Sequence, residues 1–476
     1  MVAKYALQYF LRDCNNNFTG RVPRVRHCLP LLGHGIQMSG NVMDFLSECY
    51  KKYGKIFRIK IFGYSVTVLC DRKLVAELFK ASESEMSGFE NLRKLFFAEI
   101  FFPTSSHYER FVQLTKTIVS GNLSNFLAEI EGEAAIWVEN LNIKVKTGEK
   151  IDIYEECSRF VTSTSARCLT GQVISKPCLD ALQSFSKLLN QAVLLSYLLP
   201  KWALRLLYKA RLMRLMDKVA NQICHDIESH RMDDQLQKSM FLRTAVDLMD
   251  DATGKCISVQ EVKSLYVHLL YSSSINTALM LSNTLLEMAT QPSLWEQIFE
   301  QTAPFLREEQ IGTIGRDVKC ENVIIKNKLL HATIMESARI NTQIISIGRS
   351  PGSKTSLGSF YLGDADFVGV CGGLLQCHKD LARDLYQDPE IFNPSRFLYG
   401  SIETMSPFGI TAWGGGIHYC PGKKFALYEI KIGIAHFVNA FVLKERHVPD
   451  GSRRANHYLI QPIVQKLLDV EISSRP

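Results

Sequence analysis

The chain has 476 residues, 46% of them hydrophobic, and no linker-like, low-complexity or repeated stretch. One large domain over residues 1–476 is therefore expected, in place of the two or three that length alone favours. The formal charge of +7 reflects 55 Lys and Arg against 48 Asp and Glu spread along the chain: no dense basic run with interleaved aromatics indicates nucleic acid, and the mild surplus suits an acidic partner or an anionic membrane surface. Thirteen cysteines, an odd number without CxxC or Cys/His finger spacing, read as mostly buried thiols in a reducing compartment.

In chain order, residues 1–22 carry no visible signal peptide. Their only apolar patch, Tyr5 to Leu11, is followed by Arg12 and Asp13 and falls well short of the roughly 20 residues a spanning helix needs. Gly40 to Gly54 reads as an amphipathic helix, with Phe45, Leu46, Cys49 and Tyr50 on one face and Gly54 as C-cap. Phe57 to Phe62 and Ser65 to Cys70 are β-rich runs around Gly63-Tyr64, a hairpin signal. Asp71 is placed to cap a helix through Phe79, and the pattern stays mainly helical for about 250 residues by apolar spacing. Leu188 to Pro200 is an uncharged stretch leading into KWALRLLYKARLMRL (Lys201 to Leu215). That is either a basic amphipathic helix in a membrane interface, with Trp202 at the junction, or a core helix beside a solvated one.

Ser258 and Glu261 form a capping-box pattern ahead of a long apolar helix to about Ala289, spanning over about 40 Å. A helix that is apolar on most faces belongs inside a large core. Its centre nevertheless holds Ser272, Ser273, Ser274, Asn276 and Thr277, which must bond their own helix's carbonyls or face a cavity. From Ile344 the chain turns β-like, with turn signals at Pro351-Gly352 and Leu362-Gly363-Asp364. Cys377-His378 are two neighbours and do not make a metal site. The last segment, WGGGIHYCPGKKFALYEIK (Trp413 to Lys431), places three glycines and then Cys420 where a loop becomes a helix expected to reach about Val442. Glycines let backbone approach something flat. A helix start stabilises a thiolate, which is a metal ligand or a nucleophile. No hydrolase pattern lies nearby.

This segment resembles the cysteine-ligand loop of the cytochromes P-450, F-x-x-G-x-R-x-C-x-G. Gly416, Cys420 and Gly422 match, Trp413 replaces the Phe, and His418 replaces the Arg. Other landmarks follow in the family's order. M-E-S-A-R gives E-x-x-R with Glu336 and Arg339, and N-P-S-R-F gives P-x-R-F with Arg396. Ser273-Ser274-Ile275-Asn276-Thr277 matches the oxygen-activating motif A/G-G-x-D/E-T, with Asn276 in place of the acid, as in the sterol 7α- and 12α-hydroxylase branch that also contains prostacyclin synthase. DPEIFNPSRF resembles the family's meander, and VPRVRHCLPLLGHGIQM the segment before its first helix. The W-x-x-x-R haem contact is missing.

The resemblance implies a mainly α fold with a small β part around a buried haem b, with Cys420 as axial iron ligand. It also implies a Glu336–Arg339–Arg396 network behind the haem, with Trp413, Gly416 and Gly422 against the ring. His418, Arg349, Lys116 and Arg110 are the candidate cations for the propionates. Thr277 and Asn276 are the implied catalytic pair. The implied activity is a monooxygenase inserting one oxygen atom from dioxygen into a sterol, lipid or secondary metabolite. Electrons would come from NADPH through a flavoprotein reductase docking near Lys423, Lys424 and Lys431. The implied location is the cytoplasmic side, associated with the endoplasmic reticulum membrane. Two rivals stay open on the sequence: a haem-thiolate isomerase or peroxygenase that needs no reductase, and a haem-binding protein without turnover.

Overall fold

The structure, a computed structural model, describes residues 20–26, 33–39, 42–61, 64–94, 98–102, 104–120, 123–171, 173–195, 199–232, 240–245, 248–250, 254–306, 320–342, 345–398, 410–445 and 470–475. The apolar patch expected at Tyr5 to Leu11 lies outside them.

The first described helix of length, α1 (Val42–Tyr53), buries Leu46 and Cys49, and Gly54 follows at φ +86, the left-handed turn that glycine adopts freely. The hairpin pairs β1 (Ile56–Ile61) with β2 (Tyr64–Leu69) from Ile56↔Leu69 to Ile61↔Tyr64. Tyr64, expected in the turn, thus begins the second strand. Asp71 caps α2 (Arg72–Lys80) as expected, its carboxylate accepting the N–H groups of Lys73 and Leu74 at 2.9 and 3.1 Å. Helices α3 (Ser105–Ser120), α4 (Leu127–Thr147), α5 (Ile153–Ser165), α6 (Lys176–Leu195) and α7 (Ala210–Met232) follow.

The apolar stretch that opens at Leu188 is core: Leu188, Leu189 and Ala192 of α6 are buried, while residues 196–198 lie outside the described set. The exposed apolar surface comes after Lys201. Trp202, Leu206 and Leu207 are 68, 79 and 54% exposed, beside exposed Arg205, Lys209, Arg211 and Arg214. No described helix is long and apolar enough to cross a membrane.

The long helix α8 (Val259–Ala289) runs through the core, packed by α5, α7, α9 (Pro292–Leu306), α10 (Lys328–Ile340) and α12 (Lys423–Ala440). Its buried face includes Tyr266, Leu269, Leu270, Leu281 and Leu285, each such side chain contributing about 1.5–3 kcal/mol on leaving water. Around it, Trp137 of α4 stacks on Phe160 of α5 at 4.8 Å, and Phe437 of α12 joins them.

Three further strands extend the hairpin into a five-stranded sheet to one side. β3 (Ser346–Pro351) lies antiparallel to β4 (Phe367–Val370), which lies parallel to β2, and Met86–Ser87 closes the edge. The short helix α11 (Gly372–Cys377) leaves β4. Helix α12 stops at Ala440, short of Val442, because the chain extends at Phe441 into β5 (Phe441–Glu445), paired with β6 (Val470–Ser474). The fold is thus mainly helical with a small sheet.

None of the described cysteines is in a disulfide, and most are buried. Cys377 Sγ points at the Arg339 carbonyl (3.4 Å), while His378 Nε2 meets Ser47 Oγ (2.9 Å), so the two neighbours serve separate contacts.

Candidate functional site

A cavity of about 320 Å³ lies between the middle of α8 and the loop before α12. Cys420, Pro421, Gly422 and Phe425 line one side, and Ser272, Ser273, Asn276 and Thr277 of α8 line the other. Cys420 reaches this position because its N–H is held by the Trp413 carbonyl at 2.9 Å, closing the loop on itself. The backbone N–H groups of Gly422 and Lys423, at the start of α12, lie near its sulfur, and the Lys423 N–H bonds the Cys420 carbonyl at 3.3 Å. Burial pushes the thiol upward, while those two N–H groups and the Lys423 ammonium pull it down. The donors that favour a sulfur anion are therefore built into the backbone.

The glycine run is explained partly by a neighbour within the protein. Gly416 sits at φ +60, and a Cβ there would collide with the carbonyl of Phe79 at the end of α2; one on Gly415 would enter the Phe79 ring. Gly422, two residues past Cys420, lies beside the sulfur, where a Cβ would come 3.9 Å from Cys420 Sγ.

Behind the loop, Glu336 and Arg339 of α10 are both fully buried and pair twice, Nε to Oε2 and Nη2 to Oε1, each at 2.7 Å. Arg339 also donates to the carbonyls of Gln376, Pro389 and Ile391, and its guanidinium lies 4.9 Å from the Tyr386 ring centre. Burial disfavours its charge, but Glu336 outweighs that, and the pKa is raised. Arg396 reaches Glu336 Oε1 at 3.3 Å, as does the Asn393 N–H at 2.8 Å, and Arg396 spends its other donors on the carbonyls of Gln387, Asp388 and Ile391. The three residues expected to meet do meet.

Gln376 extends this network and was not foreseen. Its amide donates to Thr342 (3.0 Å) and Thr411 (2.8 Å), and its carbonyl oxygen accepts the Thr411 N–H (3.3 Å). Thr411 is two residues before Trp413, so Gln376 fastens the cysteine loop to the buried ions. Nothing in CGGLLQC marks this in the sequence; a buried glutamine shows itself only through its partners.

On α8, both expectations for the polar centre hold together. Ser272 and Ser273 donate to the carbonyls of Leu269 and Leu270 at 3.1 and 3.2 Å while still lining the cavity. Asn276 and the buried Thr277 line it as well. The capping box forms by half. Ser258 Oγ accepts the Glu261 N–H at 3.1 Å, but the Glu261 carboxylate is taken by Arg110 at 2.7 Å and lies 3.4 Å from His107. Arg110 is thereby paired with Glu261 through its Nε and Nη2.

The other expected cations do converge. Burial lowers the His418 pKa, and the positive charges of Arg349 and Lys116 lower it further. Arg349 is likewise lowered by burial, against the pull of Tyr108 and Glu83. His418 Nε2 lies 3.5 Å from Glu83 Oε2, outside hydrogen-bond geometry, and it and Trp413 Nε1 are buried atoms without a hydrogen-bond partner. Basic side chains gathered at one place fit an anionic group. Together with a lone sulfur at a helix start and an aromatic ring beside it, the donor set fits a flat, acid-bearing, thiolate-ligated group.

Lys431, expected on a docking face, is buried. Its ammonium donates to the Ile325 carbonyl, and burial pushes its pKa down to about 8. Lys424 is exposed, and Lys423 lies over the rings of Trp413 and Tyr419 at 5.9 and 5.6 Å.

A profile of the cytochrome P450 family matches residues 23–465. A protein named probable lanosterol 14-alpha demethylase, from Acanthamoeba polyphaga mimivirus, is 32% identical over 95% of this chain and 62% of its own length. This chain therefore spans less than two thirds of that relative. A sterol 14-demethylase of Arabidopsis thaliana is 23% identical over 93% of this chain and 90% of its own. A lanosterol 14-alpha demethylase of Mus musculus is 23% identical over 86% and 79%.

Proposed function

The chain belongs to the cytochrome P450 family, and on that premise we propose that it is a haem-thiolate monooxygenase inserting one oxygen atom into a sterol or similarly flat apolar lipid. The family implies a haem, which when bound supplies the oxygen-activating redox chemistry. Cys420 is the residue to ligate its iron. Trp413, Gly416 and Gly422 would lie against the ring, and His418, Arg349 and Lys116 would meet its acids. The observation that carries the reading is the Cys420 sulfur at the start of α12, in the wall of the same cavity that Thr277 lines.

The chain's own residues have distinct tasks. Thr277 presents a hydroxyl that holds and passes protons at its Oγ1, and the Asn276 amide orients a neighbouring water or substrate oxygen. Phe111, Leu269 and Met280 keep bulk water from the cavity and receive apolar substrate. The sterol class is supported by the printed names of the relatives. Thr277 in the cavity wall favours oxygen activation over peroxide rearrangement.

Electrons would come from NADPH through a flavoprotein reductase. Ile417 and Tyr419, 59 and 44% exposed beside Lys424 on the loop that carries Cys420, suit a partner that is acidic with an apolar centre. The patch of Trp202, Leu206 and Leu207 among arginines and lysines suits a peripheral hold on an anionic membrane, consistent with a place on the cytoplasmic face of the endoplasmic reticulum.

The test is the spectrum of the reduced, carbon-monoxide-bound protein. The expected result is the red-shifted band of a thiolate ligand, lost in Cys420→Ser. A Cys420→Ser protein that keeps both pigment and band defeats the assignment.

A further inference from the structure

A second cavity of about 50 Å³ lies on the opposite side of α8, where that helix meets α5 and α6. One water needs only ~10–15 Å³ of such space. Around it stand hydroxyls and amides: Ser158, Thr162, Gln183, Ser186, Asn190 and Ser274. The Gln183 Nε2 is a buried donor with no protein partner, the situation in which an ordered water is found. At the outer end the Glu155–Lys187 pair, 2.9 Å apart with side chains 44 and 68% exposed, borders both the cavity and solvent.

A hydroxyl from each cavity bonds one shared atom of α8. Ser273, which faces the reaction cavity, donates its hydroxyl to the Leu270 carbonyl at 3.2 Å. Ser274, which faces the small cavity, donates to the same carbonyl at 2.6 Å. The regular helical ladder directs the Ser274 N–H there too. A carbonyl has two lone pairs, so three donors compete for it. Side-chain bonds of this kind loosen the helix and open it to water.

We propose that the small cavity holds a water cluster that carries protons from solvent across α8 at Ser274 and Ser273 to Thr277, in place of the acid that Asn276 does not provide. The proposal rests on the monooxygenase reading, in which each dioxygen split consumes two protons and two electrons, the electrons coming from the reductase. A proton enters beside Glu155. Each water or hydroxyl releases its own proton inward as it accepts one from outside, so no group in the protein changes its oxidation state or net charge after a cycle. Ser273 and Ser274 are relay residues, and Gln183 is a positioning residue for the water.

The test uses the haem-loaded chain with its reductase and three variants. Ser274→Ala and Gln183→Leu each lower product formed per oxygen consumed by about tenfold, with the balance released as peroxide or water, and raise the solvent deuterium isotope effect on product formation. Ser274→Thr, which restores the hydroxyl, recovers both. A high-resolution crystal structure shows ordered water at Gln183 Nε2 in the parent and none in Gln183→Leu. Unchanged coupling and isotope effect in both variants, or a dry cavity in the parent, overturn the proposal. The two readings fail separately: a parent without the thiolate carbonyl band defeats the monooxygenase assignment, whereas an intact band with unchanged coupling defeats the relay alone.

Discussion

The two walls of the reaction cavity are built on opposite principles. Behind Cys420, buried full charges are matched almost donor for donor, with Glu336, Arg339 and Arg396 tied to at least five backbone carbonyls and, through Gln376, to Thr411. Facing it, α8 offers neutral hydroxyls whose bonds run back to their own helix. A buried charge survives only when fully paired, so the rear wall has one arrangement. A hydroxyl on its own helix can turn away at a cost of about 0.5–1.5 kcal/mol, so the front wall can rearrange. The contrast suits a site that must hold a ligand atom still on one side and move protons on the other.

The largest effect that would test this contrast is on the rear wall. Glu336→Ala leaves two buried guanidinium groups without their anion and should cost about 3–5 kcal/mol in urea unfolding, with loss of pigment. A loss under about 1 kcal/mol would mean the network is less dependent on its anion than its geometry implies. On the front wall, Thr277→Ala should leave unfolding nearly unchanged and lower product per oxygen consumed by roughly 10- to 100-fold. Equal damage to stability in both variants would erase the distinction between the walls.

A smaller effect concerns pH. His268 of α8 is buried between the rings of Phe101 and Phe111, at 4.3 and 3.8 Å, and burial pushes its pKa down to about 3 from an ordinary 6.5. Between those values the unfolded chain binds a proton that the folded chain refuses, so stability falls as the pH drops from 6.5 toward 3. The expected loss from this group is about 1–2 kcal/mol between pH 7 and pH 5. His268→Phe should flatten that slope, as measured by unfolding midpoints at the two pH values; an unaltered slope would show the imidazole is reached by water.

The smallest effect sharpens the rule about pairing. Lys431 is a buried ammonium for which one carbonyl partner is seen, and its pKa is pushed below the ordinary 10.5 to about 8. Stability tied to it therefore rises as pH climbs from 8 toward 10.5, and at pH 7 the charge is a burden. Lys431→Met should stabilise the fold at pH 7 by about 1 kcal/mol, an advantage that shrinks by pH 10.

Much of the rear wall was legible through the family resemblance, which rests on short motifs: Cys420 before a helix start, Glu336 and Arg339 one turn apart, Arg396 in its own tetrad. The long helix was legible to within a residue from Ser258 to Ala289, because apolar length and a cap are local signals. What escaped were contacts between segments distant in sequence. Gln376 and Tyr386 join Arg339 through partners that no periodicity announces. Glu261 gave its carboxylate to Arg110 from another helix in preference to its own cap. Lys431 looked like one of three cations on a helix face, and only the packing of the Ile325 carbonyl against α12 shows that it points inward. The apolar surface after Lys201 was legible as composition, while its exposure had to come from the fold.

The distribution of indole rings has a practical corollary. Trp137, Trp295 and Trp413 are 5, 2 and 9% exposed, whereas Trp202 is 68% exposed in the basic patch. Trp413 adjoins Cys420, where an absorbing pigment would drain its emission by energy transfer. Quenching of intrinsic fluorescence by a small dissolved amide should therefore report on Trp202 almost alone, giving the native chain an optical probe of whatever covers that surface without any label being attached.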